Sequence, residues 1–337
     1  MVQLLKLLVT GGLGFIGSNF IHYACDHVDS VSIVNIDCLS YGAVHKNLAD
    51  LKRVSRYRFV KGNITNRKLV ERSVREADVV VNFAAETHVD RSISVPRRFF
   101  RSNAEGTFTL LEAARRTKLS KFVHISTDEV YGPAPMDTSF RESDRLHTSS
   151  PYAASKAAAD MFVEAYHKTY GLHTVTMRST NNFGPHQFPE KFVPKTVISA
   201  LLGRKIPIYG DGKQVRDWIY VQDFCKAIDL AITSGESGAL YNVSAGNELP
   251  NMEVARLILQ ILRKPAALLE FVEDRPGHDF RYSLDSSKIR SQLGWSPEYN
   301  FIEALQRTVT WYVSNEWWWR PLLTERILSP TPWKEGC

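Results

Sequence analysis

Thr127, Asp128 and Glu129 follow one another where an apolar run, "FVHIS", comes to its end. Adjacent carboxylates repel and resist burial. In a cleft that repulsion pushes one acid towards its protonated form while the other stays charged. The two then serve as proton donor and proton acceptor at once, although they titrate as a unit. A second pair stands downstream. In "SSPYAASKAAADMF", Ser150 suits a helix N-cap and Pro151 the first helical position, so Tyr152 and Lys156 fall one turn apart on one face. An ammonium near a phenol favours the phenolate and lowers its pKa. Beside a nicotinamide, such a phenolate takes the proton of an alcohol as hydride leaves the carbon. By itself the spacing favours a plain surface Tyr–Lys contact; a nucleotide-binding turn upstream reverses that preference.

Such a turn is present. "VTGGLGFIGSNF" carries Gly11, Gly14 and Gly17 at GxxGxxG spacing between a predicted strand and a predicted helix. Glycine permits the tight turn, lets the backbone approach a pyrophosphate, and allows close helix–strand packing. The helix N-terminus then turns free N–H groups towards the phosphates. Asp37 ends the second predicted strand, about twenty residues beyond Gly17, where an acid accepts bonds from both hydroxyls of an adenosine ribose. A carboxylate there would repel a ribose 2′-phosphate, which favours NAD over NADP. The alternative is a helix-packing turn with an incidental acid, and the agreement of strand, helix and acid argues against it.

These groups need a frame. Val- and Ile-rich runs at 4–10, 31–37, 57–62, 78–84, 121–127 and 173–179 read as parallel strands covered on both faces. Helical stretches at 15–27, 43–53, 66–76, 94–117 and 152–169 alternate with them. The alternation predicts an α/β fold with a doubly wound parallel sheet of Rossmann type. Beyond about residue 180, helices near 191–202, 222–233, 251–262, 286–293 and 301–315 mix with short strands near 206–209, 239–243 and 268–273. This half reads as a smaller α/β substrate-binding lobe. The expected division is a NAD-binding domain over 1–180, with 222–243 returning to it, the substrate lobe over 181–221 and 244–320, and a tail over 321–337, whose end "LSPTPWKEGC" reads as frayed.

The 337 residues suit one large core with an attached lobe. The chain has no apolar run of eighteen or more, so no transmembrane helix and no membrane partner is expected. The apolar start runs into the glycine turn without a small-residue cleavage site and reads as a first strand. The net charge is +6, but the basic residues are scattered rather than interleaved with aromatics; an anionic small molecule, not nucleic acid, is the expected partner. Cys25, Cys38, Cys225 and Cys337 are far apart, as in a reduced cytoplasmic protein, and the ten histidines lack metal-ligand spacing, so no metal is expected.

With "TGGLGFIGS" and "YAASK" in place, the sequence resembles the extended short-chain dehydrogenase/reductase superfamily. Within it, the chain is similar to the nucleotide-sugar 4,6-dehydratases, above all those acting on dTDP-glucose. The resemblance is carried by "FAAETHVDRSI", "ISTDEVYG", "SPYAASKAAAD", "NNFGPHQFPEKFVPK", "IYGDGKQVRDWIYVQD" and "DRPGHDFRYSLD", and runs to about residue 315. It implies Thr127, Asp128 and Glu129 at the reacting sugar and Tyr152 and Lys156 beside the nicotinamide, with Asn182 near it. It implies Phe15, Ile16, Asp37, Asn63, Ile64, Ala84, Ala85, Glu86 and Ser102 as further contacts of NAD. Thr87 and Asn181 match positions that hold the glucosyl group. Lys191, Pro207, Tyr209, Arg216, Asn251, Arg275 and His278 match the remaining nucleotide-sugar positions. The sequence departs from the family at Asn63, where an acid is usual and where an amide oxygen is expected to accept the same bond from adenine. It departs also at Cys38, at Phe224 and after residue 320.

The chemistry implied is transient oxidation at carbon 4, loss of water across carbons 5 and 6, and return of hydride to carbon 6. Tyr152, assisted by Thr127, would take the 4-hydroxyl proton, Glu129 the carbon 5 proton, and Asp128 would protonate the departing 6-hydroxyl. A nucleotide-sugar 4-epimerase shares the turn and the Tyr–Lys pair but needs no acidic pair. A decarboxylase would need a site for a substrate carboxylate, and a non-catalytic NAD-binding sensor would need neither Tyr152 nor Lys156. Asp90 and Arg91 read as a structural ion pair, and His88, His124 and His186 as core or cleft histidines. The run "EWWWRP" cannot place three tryptophans on one helix face, so some pack and some are exposed. Helices 94–117 and 152–169 are expected, from the resemblance, to form a homodimer bundle.

Overall fold

The computed structural model describes residues 4–334; Cys337, the first residues of the apolar start and the end of the expected tail lie outside the described residues. The first half is built from β1 (Leu5–Thr10), α1 (Phe15–His27), β2 (Val31–Asp37), β3 (Tyr57–Lys61), α2 (Arg67–Arg75) and β4 (Val79–Asn82). Three helices follow, α3 (Val89–Ser94), α4 (Pro96–Phe99) and α5 (Gly106–Ala114), then β5 (Lys121–Thr127), α6 (Pro151–Tyr170) and β6 (Thr174–Ser179). The second half runs β7 (Asn181–Phe183), α7 (Phe192–Leu201), β8 (Ile206–Tyr209), β9 (Val215–Tyr220), α8 (Val221–Ser234), β10 (Ala239–Val243), β11 (Glu248–Pro250) and α9 (Asn251–Ile261). It ends with β12 (Leu269–Val272), α10 (Ser287–Leu293), α11 (Phe301–Ser314) and α12 (Glu316–Trp319).

Seven parallel strands form the main sheet in the order β10-β6-β5-β4-β1-β2-β3. This is the expected doubly wound α/β sheet. Its strand order reverses between β1 and β4, and a crevice opens there beyond the carboxyl ends of the strands. Both faces are covered. Phe20, Ile21 and Ala24 of α1 pack with Phe224 and Ile228 of α8 on one side; Val70, Leu110, Leu111 and Val163 from α2, α5 and α6 fill the other. Each such side chain contributes about 1.5–3 kcal/mol when fully buried. Segment 222–243 lies with this sheet, because β10 pairs with β6 and α8 packs beside α1. In the second half a three-stranded sheet, β11-β9-β7, packs with a core of Val193, Val197, Ile258, Leu305 and Tyr312, and the pair β12-β8 packs Ile206, Ile208 and Leu269 with Ala200 and Leu259.

Two predicted helices differ. Stretch 94–117 is not one helix: Pro96 lacks an N–H and forces Val95 out of helical geometry (φ −133°, ψ 60°), and a π-helical turn spans Phe100–Glu105 before α5. Stretch 43–53 is two 3₁₀ turns, His45–Leu48 and Asp50–Arg53, drawn onto the glycine turn because the Val44 N–H and the Asn47 side chain both donate to Leu13 O. Strands β7, β9 and β11 escaped prediction because Asn181, Arg216 and Asp217 break the apolar pattern.

The tryptophan run divides as its spacing requires. Trp317 is exposed, while Trp318 and Trp319 are buried. The Trp318 indole N–H donates to Asn47 Oδ1 at 2.8 Å, Asn47 Nδ2 donates to Leu13 O at 3.0 Å, and the Leu13 N–H donates to Asp37 Oδ2 at 3.0 Å. The described part of the expected frayed tail is packed instead: Trp333 meets Tyr209 edge-on at 4.9 Å. Among the described residues no helix is long and apolar enough to cross a membrane.

Candidate active site

The crevice at the strand reversal is a cleft whose floor is the glycine turn. Gly11 has φ +72°, and a Cβ there would sit 2.7 Å from the backbone of Ala84 at the end of β4. A Cβ on Gly17 would lie 2.6 Å from Gly11 O, so helix and turn touch backbone to backbone. α1 starts at Phe15 with no side-chain cap and no acid in its first turn, which leaves its N–H groups for an anion. Asp37 is aimed by two backbone bonds, from Leu13 to Oδ2 and from Leu39 to Oδ1 at 2.8 Å. Burial pushes its carboxyl up, and these two N–H groups oppose the rise.

Every position expected to touch NAD lines this one cleft: Gly11, Gly14, Phe15, Ile16 and Gly17 from the turn; Asp37, Asn63 and Ile64 beyond β2 and β3; Ala84, Ala85 and Glu86 after β4; Ser102 in the π-helical turn; and Tyr152, Lys156 and Asn182. The cleft also presents buried polar atoms without partners, Ser126 Oγ, Asn181 Oδ1 and Asn182 Oδ1, as a site for a polar ligand does. These residues fit a dinucleotide. Asn63 corrects one expectation. Its amide oxygen already accepts from the Thr65 N–H and hydroxyl, both at 2.9 Å, so both lone pairs are used and only its NH₂ group is left for a base. The Glu86 carboxylate is likewise held, by Arg98 Nε at 2.8 Å.

Asp128 and Glu129 open a 3₁₀ turn, Asp128–Tyr131, at the end of β5. The Thr127 hydroxyl donates to Asp128 Oδ1 at 3.1 Å and accepts from the Glu129 N–H at 3.3 Å, tying all three residues. Burial, and then the Glu129 charge, push the Asp128 carboxyl up to about 8. Burial raises Glu129 too, but Arg275, Arg216 and Lys191 oppose it there. The two acids therefore differ: Asp128 faces a negative neighbour and holds its proton, whereas Glu129 faces three cations that favour its carboxylate.

α6 is capped by Ser150, whose Oγ accepts from the Ala153 N–H at 3.1 Å, a contact worth about 1 kcal/mol. Tyr152 and Lys156 are both buried in the cleft wall, so they are not a surface pair. Their expected electrostatics are corrected. The phenol is raised, not lowered, first by burial and then by the Glu129 charge, with a hydrogen bond to Thr127 opposing. The Lys156 ammonium donates to Ile125 O at 2.6 Å, and burial brings its pKa down to about 8 against the pull of Asp160.

Of the expected sugar-nucleotide positions, Thr87, Thr127, Asn181 and Lys191 line the cleft, and Lys191 Nζ donates to Thr87 O at 2.9 Å. Pro207, Tyr209, Arg216, Asn251, Arg275 and His278 do not line it. Pro207 and Tyr209 lie in β8, and Asn251 begins α9. Arg216 stacks 4.3 Å over Tyr282 and donates to Asp279 O; His278 bonds Asp274 at 2.6 Å and stands 6.2 Å from Tyr209. The Asp90–Arg91 pair is also corrected. Asp90 pairs with Arg275 at 2.9 Å, which ties the "RPGHD" loop to α3, and Arg91 lies over the Tyr41 ring at 3.3 Å and 3.7 Å from Glu190. Tyr41, Phe188 and Glu190 line the cleft without having been anticipated there, and His88 lines it as one of the expected core or cleft histidines. Tyr41 donates to Glu190 Oε2 at 2.5 Å, joining the loop after β2 to the "FPEK" loop. Glu190 lay within a quoted block, and no sequence signal marked Tyr41. His124 is a core histidine, 3.4 Å from Asp160; His186 packs against Trp311 and Trp318. Among the described residues no cluster of His, Cys, Asp and Glu could hold a metal ion.

Residues 8–308 match the family model described as GDP-mannose 4,6 dehydratase. The chain belongs to this family. The nucleotide-sugar dehydratase branch anticipated from "ISTDEVYG" and the other matching blocks is thus the right one. The chain is 44% identical to a dTDP-glucose 4,6-dehydratase of Streptomyces niveus over 98% of its own length and all of that protein. A dTDP-glucose 4,6-dehydratase of Streptomyces venezuelae, solved with NAD bound, superposes with a TM-score of 0.93 at 43% identity, covering 95% of this chain and all of the other. A UDP-glucose 4-epimerase of Thermotoga maritima superposes at 0.86 with 28% identity, covering 93% and 100%. The GDP-mannose 4,6 dehydratase family and the epimerases therefore share a fold, and what separates them has to be sought in the site.

Proposed function

We propose that the protein dehydrates a nucleoside-diphosphate glucose, dTDP-glucose first among them, to the 4-keto-6-deoxy sugar nucleotide with NAD as a regenerated cofactor. The observation that carries this is the acidic pair at the end of β5, tied by the Thr127 hydroxyl: burial and the Glu129 charge raise Asp128, while Arg275, Arg216 and Lys191 oppose the rise at Glu129. Identity of 43–44% to dehydratases over nearly the whole chain supports it, against 28% to the epimerase. NAD would be held by the glycine turn, by Asp37 and by the wall from Ala84 to Glu86, and when bound it supplies a reversible hydride acceptor beside the sugar.

Tyr152 takes the 4-hydroxyl proton, with Thr127 holding the phenol. A ketone at carbon 4 makes the carbon 5 proton acidic, and Glu129 removes it. Asp128 gives its proton to the departing 6-hydroxyl. Lys191, Arg216, Arg275 and His278 hold the diphosphate and its nucleoside, with Pro207, Tyr209 and Asn251 around them. Residues 1–180 with 222–243 bind the cofactor, and 181–221 with 244–320 bind the sugar nucleotide. Phe100, Phe108, Met161 and Phe162, exposed along and beside α5 and α6, form a homodimer face; a monomeric mass in solution would dismiss it. The free thiols Cys25, Cys38 and Cys225 suit the cytoplasm.

Incubation with dTDP-glucose and with UDP-glucose, followed by the alkali-induced absorbance of a 4-keto-6-deoxy sugar, tests the reading. Product from neither, with interconversion at carbon 4, would replace it with epimerase chemistry. A methyl group separates the two bases and discriminates by only ~1–3 kcal/mol, so both are expected to react at different kcat/KM.

The pH profile follows from the site. A raised carboxyl pKa means Asp128 keeps its proton below about 8 and loses it above, and Lys156 loses its own proton over the same range. kcat/KM is expected to fall above pH 8 with a slope steeper than one proton. A flat profile up to pH 10 would remove Asp128 from the acid role.

A further inference from the structure

The two reactive pairs stand on different elements, Tyr152 and Lys156 on α6, Asp128 and Glu129 on the turn after β5. Beneath them one guanidinium touches both supports. Arg178 of β6 donates from Nε to Asp160 Oδ2 at 2.9 Å and from Nη1 to the Tyr131 hydroxyl at 2.6 Å. Asp160 lies one turn beyond Lys156 on α6, and Tyr131 closes the turn that Asp128 opens. All three side chains are buried. The arrangement is braced from outside. Tyr131 donates to Asn242 Oδ1 of β10 at 3.0 Å and stacks on Phe140, while His124 of β5 approaches the other Asp160 oxygen at 3.4 Å.

We propose that Arg178, with Asp160 and Tyr131, is a positioning bridge that holds the Tyr152–Lys156 helix and the Asp128–Glu129 turn in register. The inference rests on the dehydratase reading and assigns these residues a part in it. A buried ion pair is poor value for stability, since apolar residues of similar volume often do as well or better. What the bridge adds is a fixed spacing between a group that works on the 4-hydroxyl and groups that work on carbons 5 and 6 of one sugar. Errors of about 1 Å in such spacing cost ~10²-fold in rate. The bridge also gives Lys156 a counter-ion. The groups facing Asp160 are Arg178 from β6, His124 from β5, and Lys156 and Tyr152 from its own helix. Burial would raise the Asp160 carboxyl, yet the nearby His124 ring and the Arg178 charge hold it down at about 2, so it remains an anion. Burial lowers His124 to about 4, so the imidazole is neutral and the anion is left to Arg178 and Lys156.

Three variants test this. Tyr131→Phe keeps the ring and removes the hydroxyl, with its bonds to Arg178 and Asn242; kcat is expected to fall ~10–10²-fold at unchanged KM, with reduced nicotinamide building up because elimination lags behind oxidation. Arg178→Lys keeps the charge but loses the fork and should behave alike. In Asp160→Asn, Lys156 loses its counter-ion, and its proton, followed by NMR of labelled lysine in the substrate-free protein, should leave about one pH unit lower. That titration needs no turnover: if the unaltered protein dehydrates nothing, the functional reading fails while the bridge is still tested. A merely structural role would lower melting temperature and leave kcat per folded site, the build-up and the lysine titration unmoved. That result in folded Tyr131→Phe and Asp160→Asn overturns the proposal; should Asp160→Asn fail to fold, Tyr131→Phe alone decides.

Discussion

Glu129→Gln is expected to yield a protein that oxidises its substrate and goes no further. Glutamine has the shape of glutamate but cannot accept the carbon 5 proton, and general-base loss costs ~10²–10⁴-fold in turnover. The substitution also leaves Arg275, Arg216 and Lys191 without the carboxylate that they favour. Three readouts apply: alkali-detected product lost, reduced nicotinamide present, and no exchange of the carbon 5 hydrogen with deuterated solvent. Asp128→Asn should lose product to a similar degree, yet retain that exchange, because Glu129 can still remove the proton while no acid assists the departing hydroxyl. Exchange that survives in Glu129→Gln and vanishes in Asp128→Asn would invert the roles. Near-normal turnover in both would remove the pair from the chemistry.

Tyr152→Phe should fail one step earlier. Without the phenol oxygen the 4-hydroxyl proton has no acceptor, so neither reduced nicotinamide nor exchange at carbon 5 should be seen, with a loss of ~10²–10⁴-fold. The contrast with Glu129→Gln is the informative part, since one variant stops before oxidation and the other after it. The raised phenol in this structure bears on the expected pH dependence. Burial and the Glu129 charge keep Tyr152 protonated, so its own proton must leave before the phenolate can take that of the sugar. If Tyr152→Phe still builds up reduced nicotinamide at the normal rate, Thr127 or another group is the base.

Much of this was legible in the sequence because the signals were local. The glycine turn, Asp37 at a strand end and the capped helix carrying Tyr152 and Lys156 are each written within a dozen or so residues, and the parallel sheet follows from strand–helix alternation. What was not legible depends on distant partners. The neighbours of Asp128 and Glu129 come from residues 191, 216 and 275, so spacing in "STDEV" could establish the pair but not its asymmetry. The same holds for Asn63, whose oxygen is taken by Thr65, and for Asp90, which passes over adjacent Arg91 for Arg275. The expected lowering of the Tyr152 phenol failed for a physical reason: it followed from a lysine four residues away, whereas burial and the carboxylates of Glu129, Asp128 and Asp160 prevail. Strands β7 and β9 were missed because they carry polar residues expected at the site, Asn181, Asn182 and Arg216, where local pattern and function conflict.

The link from Trp318 to Asn47 to Leu13 to Asp37 spans 271 residues at its first step. A chain is made from its N-terminus, so the nucleotide-binding turn waits for a residue 271 positions beyond Asn47 before this support can form. Until residue 318 exists, Asn47 must satisfy its amide with water, and Leu13 and Asp37 are held only by their near neighbours. In the growing chain, the strands of the cofactor cradle therefore precede by far the tryptophan that braces them.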